Sequence, residues 1–330
     1  MNNQITSTST TRDSGALKAL AVVLNEPREL GVRELTLTSP GPDEVLVEVE
    51  WSGISTGTER LLWSGNMPPF PGMGYPLVPG YETVGRVAES GVNCALKTGT
   101  RVFVSGASCF GDIRGLFGGA ASRLVVPEAK LIAIDEALDQ QGVLMALAAT
   151  AVHAIDACAS ARAPQLIIGH GVLGRLLARA TIAKGAPPPV VWEINSQRAH
   201  GAQGYEVMHP DSDQRRDYDS VYDVSGASNT LDSIMPHLAR HGEVVLAGFY
   251  SQPVTFAFPP AFMREANIRI AAEWQPRDLV EATRLVSDGS LSLDGLITHS
   301  AMATDAPSAY RTAFTEPSCL KMILDWRDIS

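Results

Sequence analysis

The chain reads as an α/β protein of two units, a β-rich module followed by a doubly wound parallel sheet. Three observations predict it. The first is Gly169-His170-Gly171-Val172-Leu173-Gly174, which follows the apolar run Leu166-Ile167-Ile168 and precedes a helix-like segment from Arg175 to Lys184. That segment carries Leu176, Leu177, Ala180 and Ile182 on or near one face. Strand, glycine turn and helix together are the context in which G-x-G-x-x-G binds a dinucleotide. The second is Glu193, which closes Val190-Val191-Trp192 and stands roughly 20 residues beyond the turn, where such a unit places its acidic residue. The third is a change of period. Ala19–Leu24 is an apolar strand and apolar residues alternate at period two through Gly31–Leu37 and Val45–Trp51, then change spacing from Gln140 to Ala161, where Val143, Leu144, Leu147, Val152 and Ile155 suit helices with a short break near Ala149-Thr150.

The glycine turn has a definite chemistry. The first glycine permits a tight turn, the second removes a Cβ where a pyrophosphate approaches, and the third lets helix and strand pack closely. The helix N-terminus then offers free N–H groups and a positive dipole end. A carboxylate at Glu193 accepts hydrogen bonds from both ribose hydroxyls and repels a 2′-phosphate, which predicts NAD. Arg198 argues the other way, since an arginine receives that phosphate. Within the turn, the backbone of His170 is expected to matter more than its ring.

Composition narrows the class. The 330 residues exceed one ordinary core, so two domains are expected. No apolar run approaches the roughly 20 residues needed to span a bilayer, and Met1 to Ser14 is polar, predicting a disordered lead-in over residues 1–16 and no signal peptide. A formal charge of −10 argues against a nucleic-acid partner. The four cysteines, Cys94, Cys109, Cys158 and Cys319, form no C-x-x-C pair, which suits a reducing cytoplasm and no structural zinc.

In chain order, further strands are expected at Pro79–Val87, Arg101–Val104 and Ser122–Val126, with a proline-rich apolar loop from Met67 to Pro76. After the glycine unit, strands are expected at Gly204–Met208, Ser220–Gly226, Gly242–Gly248 and Ile268–Trp274, and helices at Leu231–Leu238 and Asp278–Ser287. Ser225 and Gly226 form the small loop after the fourth strand. The tail, Leu296–Ser300, Ala306–Phe314 and Cys319–Asp325, is expected to return to the first unit.

With these residues in view the chain resembles the medium-chain dehydrogenase/reductase superfamily over nearly its whole length. Gly53-Ile54-Ser55-Thr56-Gly57-Thr58-Glu59 stands where zinc members carry G-I-C-G-[ST]-D, and Pro79-Gly80-Tyr81-Glu82-Thr83-Val84-Gly85 where they carry P-G-H-E-x-x-G. Gly99-Thr100-Arg101-Val102 corresponds to G-D-R-V, and Ala148 to Ala151 to the segment of the third ligand. The resemblance implies a GroES-like β-barrel domain over 17–135, a Rossmann domain over 136–287 and a return over 288–330. The zinc-ligand cysteine is replaced by Ser55 or Thr56, the histidine by Tyr81, and Met145, Ala146 and Leu147 precede Thr150 where the last ligand is due. Three losses together imply an enzyme without metal.

Longer blocks narrow the resemblance. Trp51 to Trp63, the Met67–Pro76 loop, Phe117 to Arg123, Tyr222 to Gly226 and Phe256 to Glu265 look like the bacteriochlorophyllide dehydrogenase family of bacteriochlorophyll synthesis. That resemblance implies NAD-dependent oxidation of the ring-A hydroxyethyl group of a tetrapyrrole, a bacteriochlorophyllide or chlorophyllide, to acetyl. Tyr81 then either hydrogen-bonds the alkoxide oxygen and takes its proton with a lowered pKa, or fills the vacated metal cavity. Ser55, Thr56 and Thr58 pass a proton outward or are satisfied turn hydroxyls. Glu59 and Glu82 match supporting acidic positions. Thr150 is implied to touch the nicotinamide, with His153 just beyond it as a relay or a packed helix residue. A flat apolar substrate calls for a wide apolar pocket, for which Trp63, Met67, Phe70, Met73 and Tyr75 offer one wall and Phe258 and Phe262 another. Two rivals remain at this level: a zinc-free reductase of quinones or enones, which would prefer NADPH, and a non-catalytic NAD(H)-binding regulator. The oligomeric state stays open, a dimer included.

Overall fold

A computed structural model describes residues 16–156 and 162–329. Residues 1–15 of the lead-in expected over 1–16, the last residues of the Gln140–Ala161 helical stretch and Cys158 lie outside the described residues.

The first unit is built from short alternating strands. The hairpin β1 (Lys18–Glu26) and β2 (Glu29–Thr36) leads into β3 (Glu44–Ile54), the longest strand, with Val45, Val47 and Val49 buried on one face. Its end, Trp51 to Ile54, is buried on both faces. Then follow α1 (Thr58–Ser64), β4 (Leu77–Val78), β5 (Thr83–Ser90), β6 (Arg101–Val104), β7 (Arg114–Gly115), β8 (Arg123–Pro127) and β9 (Leu131–Ala133). The proline-rich stretch before β4 is the loop the sequence predicts.

A 3₁₀ segment, Glu136–Leu144, carries the chain out of this unit into α2 (Met145–Asp156). No break occurs near Ala149-Thr150: α2 runs unbroken, and Thr150 returns its Oγ1 proton to the Ala146 carbonyl at 2.9 Å. The second unit then alternates β10 (Leu166–Ile168), α3 (Val172–Ala183), β11 (Val190–Trp192), β12 (Glu206–Met208), β13 (Tyr218–Asp223), α4 (Leu231–Ile234), β14 (Leu238–Leu246), α5 (Phe258–Arg264), β15 (Asn267–Ile270) and α6 (Pro276–Ser287). The strands lie parallel in the order β12-β11-β10-β13-β14-β15, the 3-2-1-4-5-6 order of a Rossmann sheet. Helices α2, α3 and α6 cover one face, and α4 and α5 the other.

Several boundaries differ from expectation: the strands expected at Pro79–Val87, Ser220–Gly226 and Gly242–Gly248 run Thr83–Ser90, Tyr218–Asp223 and Leu238–Leu246, the tail segment Leu296–Ser300 gives a strand over His299–Met302, and three further elements are shortened. The third strand is confined to Glu206–Met208, because Gly204 takes a left-handed φ of 79° just before it. The Leu231–Leu238 helix ends after one turn and tightens to 3₁₀ over Met235–His237, since Pro236 cannot supply an amide proton. The sixth strand stops at Ile270, short of Trp274.

The tail returns as expected. β16 (His299–Met302), α7 (Ala306–Thr315) and β17 (Met322–Asp325) follow α6, and β17 pairs antiparallel with β3, setting Met322 opposite Ile54. The resulting seven-stranded sheet runs β16-β17-β3-β5-β6-β9, with β8 pairing β3 off this path. One apolar core crosses the seam, joining Trp51, Val84 and Phe103 to Val143, Leu144 and the buried side of α2. The end of β3 therefore lies where both units and the returning tail meet.

Candidate active site

The glycine turn forms one side of that meeting point. Gly169 takes φ +103°, and a Cβ on Gly174 would stand 1.9 Å from the Gly169 carbonyl oxygen, so the start of α3 lies directly on the turn. Gly171 faces open space, with nothing within 4 Å of where its Cβ would be. It is also the N-cap of α3, where no side chain caps the first turn. Uncapped N–H groups at a helix start, reached across a glycine, are the environment a pyrophosphate needs. Val172 is buried and Leu173 partly so. Glu193 leaves β11 with Oε2 accepting from the His170 amide at 3.0 Å and Oε1 from the Asn195 amide at 2.8 Å. Across the turn, Ser225 and Gly226 follow β13, with Asp223 Oδ1 accepting from the Ser225 amide at 2.8 Å. These residues fit a dinucleotide.

The His170 ring matters more than the sequence suggests. It is fully buried, with Nδ1 2.6 Å from the Arg198 carbonyl and Nε2 2.8 Å from the Tyr205 hydroxyl. Burial pushes its pKa down to about 4, so the ring is neutral. A carbonyl only accepts, which places the proton on Nδ1 and makes Nε2 the acceptor from Tyr205. Beneath it Arg175, also buried, donates to the carbonyls of His170, Arg198, His200 and Gly201. Neither Arg175 nor Tyr205 was singled out in the sequence; the one signal was a charged residue directly after Gly174, on the side of α3 that the apolar pattern buries. Arg198 turns its Nε to the Pro317 carbonyl at 3.1 Å, in the returning tail.

The other side is a cluster of hydroxyls and carboxyls. Ser55 ends β3, and its Oγ lies 2.7 Å from the Tyr81 hydroxyl, which is carried between β4 and β5. Glu59, in the first turn of α1, accepts from the Ser55 amide at 3.0 Å and from the Tyr310 hydroxyl of α7 at 2.6 Å. Burial raises its pKa to about 7; those two hydrogen bonds oppose the rise. Glu82 and Lys321 are both buried and paired at 2.6 Å, with Lys321 also donating to the Ile54 carbonyl at 3.2 Å. Gly53 is required here, since a Cβ would come within 2.3 Å of Glu82 Oε2. Thr56 and Thr58 are partly buried at the turn into α1. Lys321 and Tyr310 lie more than 200 residues from their partners, which is why local sequence patterns miss them.

Tyr81 keeps its proton. Burial first and the Glu82 carboxylate second push the phenol upward, and the Ser55 and Thr58 hydroxyls only partly offset them. The expected lowered pKa is therefore wrong: a low-dielectric wall with a carboxylate behind it penalises phenolate. The Phe117 ring meets Tyr81 edge-on at 5.4 Å. Among the described residues no group of three or more His, Cys, Asp or Glu could hold a metal ion. The donors at the former ligand positions are neutral hydroxyls, Glu59 has both oxygens hydrogen-bonded, and Glu82 is paired with Lys321 through Oε2 with Oε1 buried and unpartnered, so the set lacks the three ligands of suitable type that zinc needs.

Other expected residues are spread more widely. His153 is buried in α2 with Nδ1 2.8 Å from Asp278 Oδ2 at the start of α6, an oxygen that also accepts from the Gln275 amide at 2.7 Å. Its ring fastens α2 to α6. Met67 is buried with Leu24, Leu62, Leu77 and Leu116, and Trp63 packs against Phe314 at 5.5 Å. Met67 thus belongs to the core of the β module, with Trp63 half-buried beside it. Met73 and Tyr75 flank the same cluster, Tyr75 donating to the Leu62 carbonyl at 2.5 Å, and Phe70 is exposed. Phe258 and Phe262 sit on α5, 66% and 63% exposed, their rings 5.6 Å apart.

Comparison with known proteins decides the family. Residues 41–136 match the alcohol dehydrogenase GroES-like domain. The 2-desacetyl-2-hydroxyethyl bacteriochlorophyllide A dehydrogenase of Cereibacter sphaeroides is 55% identical over 94% of this chain and 99% of its own length. Its Rhodobacter capsulatus counterpart is 53% identical over 94% and 99%. The chain belongs to this dehydrogenase family. At the level of fold, L-idonate 5-dehydrogenase from Escherichia coli superposes with a TM-score of 0.82 at 18% identity, covering 94% of this chain and 99% of that one. As a member of this bacteriochlorophyllide dehydrogenase family the chain is an oxidoreductase that uses a nicotinamide cofactor. No described helix is long and apolar enough to cross a membrane.

Proposed function

We propose that this chain oxidises the hydroxyethyl group of a bacteriochlorophyllide to acetyl, with NAD as acceptor and without zinc. Two electrons and one proton leave the carbinol carbon as hydride, and the hydroxyl loses a proton. Bound NAD supplies the hydride acceptor. The observation that carries the reading is the Ser55–Tyr81 pair, 2.7 Å apart at the junction of both units. A neutral phenol hydrogen-bonds the reacting oxygen. Tyr81 takes the substrate proton as it gives its own to Ser55 Oγ, and Ser55 passes its own proton on, so neither a free phenolate nor a protonated serine forms, with Thr56 and Thr58 leading the proton outward to water. Glu59 and Glu82 support this pair, and His153 acts through helix packing.

Gly169 to Gly174, Glu193, Thr150, Ser225 and Gly226 hold the cofactor in this reading. Glu193 supports NAD over NADP, while Arg198, its Nε turned to the Pro317 carbonyl, flanks the same end of the site. Phe70, Met73 and Tyr75 form one pigment wall, with Phe258 and Phe262 offering a second. The functional division is 17–135 and 288–330 for substrate and 136–287 for cofactor. The outer edge of β15, with Ile268 and Ile270 exposed, supports a dimer, and we place the protein in the cytoplasm. The test is direct: mix purified protein, NAD and hydroxyethyl bacteriochlorophyllide, and follow the pigment absorption band and NADH together. Stoichiometric shifts in both, unaffected by strong chelators and with no zinc by elemental analysis, are expected. No turnover, or loss of activity on chelation, would overturn the reading.

A further inference from the structure

Helix α7 reaches from the returning tail into the β module with one polar group. Tyr310 is 1% exposed, and its hydroxyl donates to Glu59 Oε2 at 2.6 Å. Its ring meets Phe314 edge-on at 5.7 Å. The other oxygen of Glu59 accepts from the Ser55 amide at 3.0 Å, and Ser55 Oγ lies 2.7 Å from the Tyr81 hydroxyl. Tyr310, Glu59, Ser55 and Tyr81 thus form one continuous line of contacts, drawn from the two ends of the sequence.

We propose that Tyr310 is a positioning residue for the dehydrogenation: its hydroxyl holds Glu59 as a bonded carboxylate, which fixes the Ser55 main chain and, through Ser55, the Tyr81 phenol. The inference rests on the role assigned to Tyr81 above. A buried carboxylate stays charged only while its oxygens are satisfied. The groups facing Glu59 are Tyr310 from α7, Glu82 and Tyr81 from just before β5, and Lys321 from the segment before β17. Lys321 is already paired with Glu82, so the Tyr310 hydroxyl stabilises the Glu59 charge most, ahead of the Ser55 amide and the more distant Lys321. Without it Oε2 is buried and unpaired, Glu59 takes up a proton more readily, and the Ser55 amide loses a charged acceptor.

The experiment is Tyr310→Phe in the full chain, assayed with hydroxyethyl bacteriochlorophyllide and NAD from pH 5.5 to 9. At pH 7 kcat should fall about tenfold with KM changing less than about twofold, and the loss should recover toward pH 9. The acidic limb then moves up by about one pH unit, the scale of one charge-assisted hydrogen bond. A profile superimposable on wild type overturns the inference. Tyr81→Phe, run in parallel, separates the two readings. If it loses turnover while the Tyr310→Phe profile is unmoved, the positioning role fails alone. If Tyr81→Phe is normal, the Tyr81 role fails first and this inference falls with it. Should Tyr310→Phe not fold, 3-fluorotyrosine at position 310 keeps the ring and strengthens the donor. It should move the acidic limb downward, and an unmoved limb overturns the inference.

Discussion

Replacing Glu59 by Gln should change the pH dependence of stability by an amount set by its burial. Glu59 is 1% exposed, and its pKa rises from 4.5 to about 7 because burial outweighs the hydrogen bonds from Tyr310 and Ser55. The folded state therefore binds this proton more tightly than the unfolded chain. Below pH 4.5 both states are protonated and Glu59 contributes nothing. As pH rises from 4.5 to 7 the unfolded chain ionises first, so stability falls, and above 7 the cost stays constant. The shift from 4.5 to about 7 spans about 2.5 units, which at about 1.4 kcal/mol per unit is about 3 kcal/mol. Gln keeps the shape without the charge: its oxygen accepts from the Ser55 amide and its nitrogen donates to the Tyr310 oxygen. Urea unfolding of both proteins at several pH values from about 5 to 8 cancels the other titrating groups. The variant should gain about 3 kcal/mol on wild type across that range. A gap constant with pH, or one that narrows as pH rises, would refute the reasoning.

Three other outcomes follow from the same geometry. Tyr81→Phe keeps the ring against Phe117 and should lower turnover about a hundredfold with little change in NAD affinity, the scale of one oxyanion donor; stopped-flow turnover beside NAD titration checks it. Gly171→Ala meets open space while Gly174→Ala meets a backbone oxygen at 1.9 Å. The first should therefore weaken NAD binding with an unchanged melting temperature, and the second should lower both by calorimetry. Glu193→Ser should narrow the preference for NAD over NADP, measured as the ratio of kcat/KM values; unchanged discrimination would show that Glu193 does not read the ribose.

The legible parts of the site are the ones written locally. Gly169 to Gly174 and Glu193 belong to one βαβ unit, so the distances between them follow from strand and helix geometry. The alternation around Val45 to Trp51 likewise marks β3 without any partner in view. Tyr81 and Ser55 stand out because they occupy positions where relatives carry metal ligands, yet their 2.7 Å contact joins the segment after β3 to the segment before β5, which only folding brings together. The pKa of Tyr81 is not legible in the sequence for the same reason: it depends on burial and on Glu82, and burial is a property of the packed state.

What the sequence by itself determined is the class of protein: a dinucleotide turn, a β module before it, a tail that returns, and ligand positions without ligands. Those are consequences of residue type and period, which act over a few turns of chain. The tertiary structure alone decided that Tyr310 holds Glu59, that Lys321 neutralises Glu82, that the His170 ring is locked under Arg198, and that Met67 is core. Each joins groups brought together by folding, some of them hundreds of residues apart, and each carries a polar or steric cost that exists only once water has been excluded.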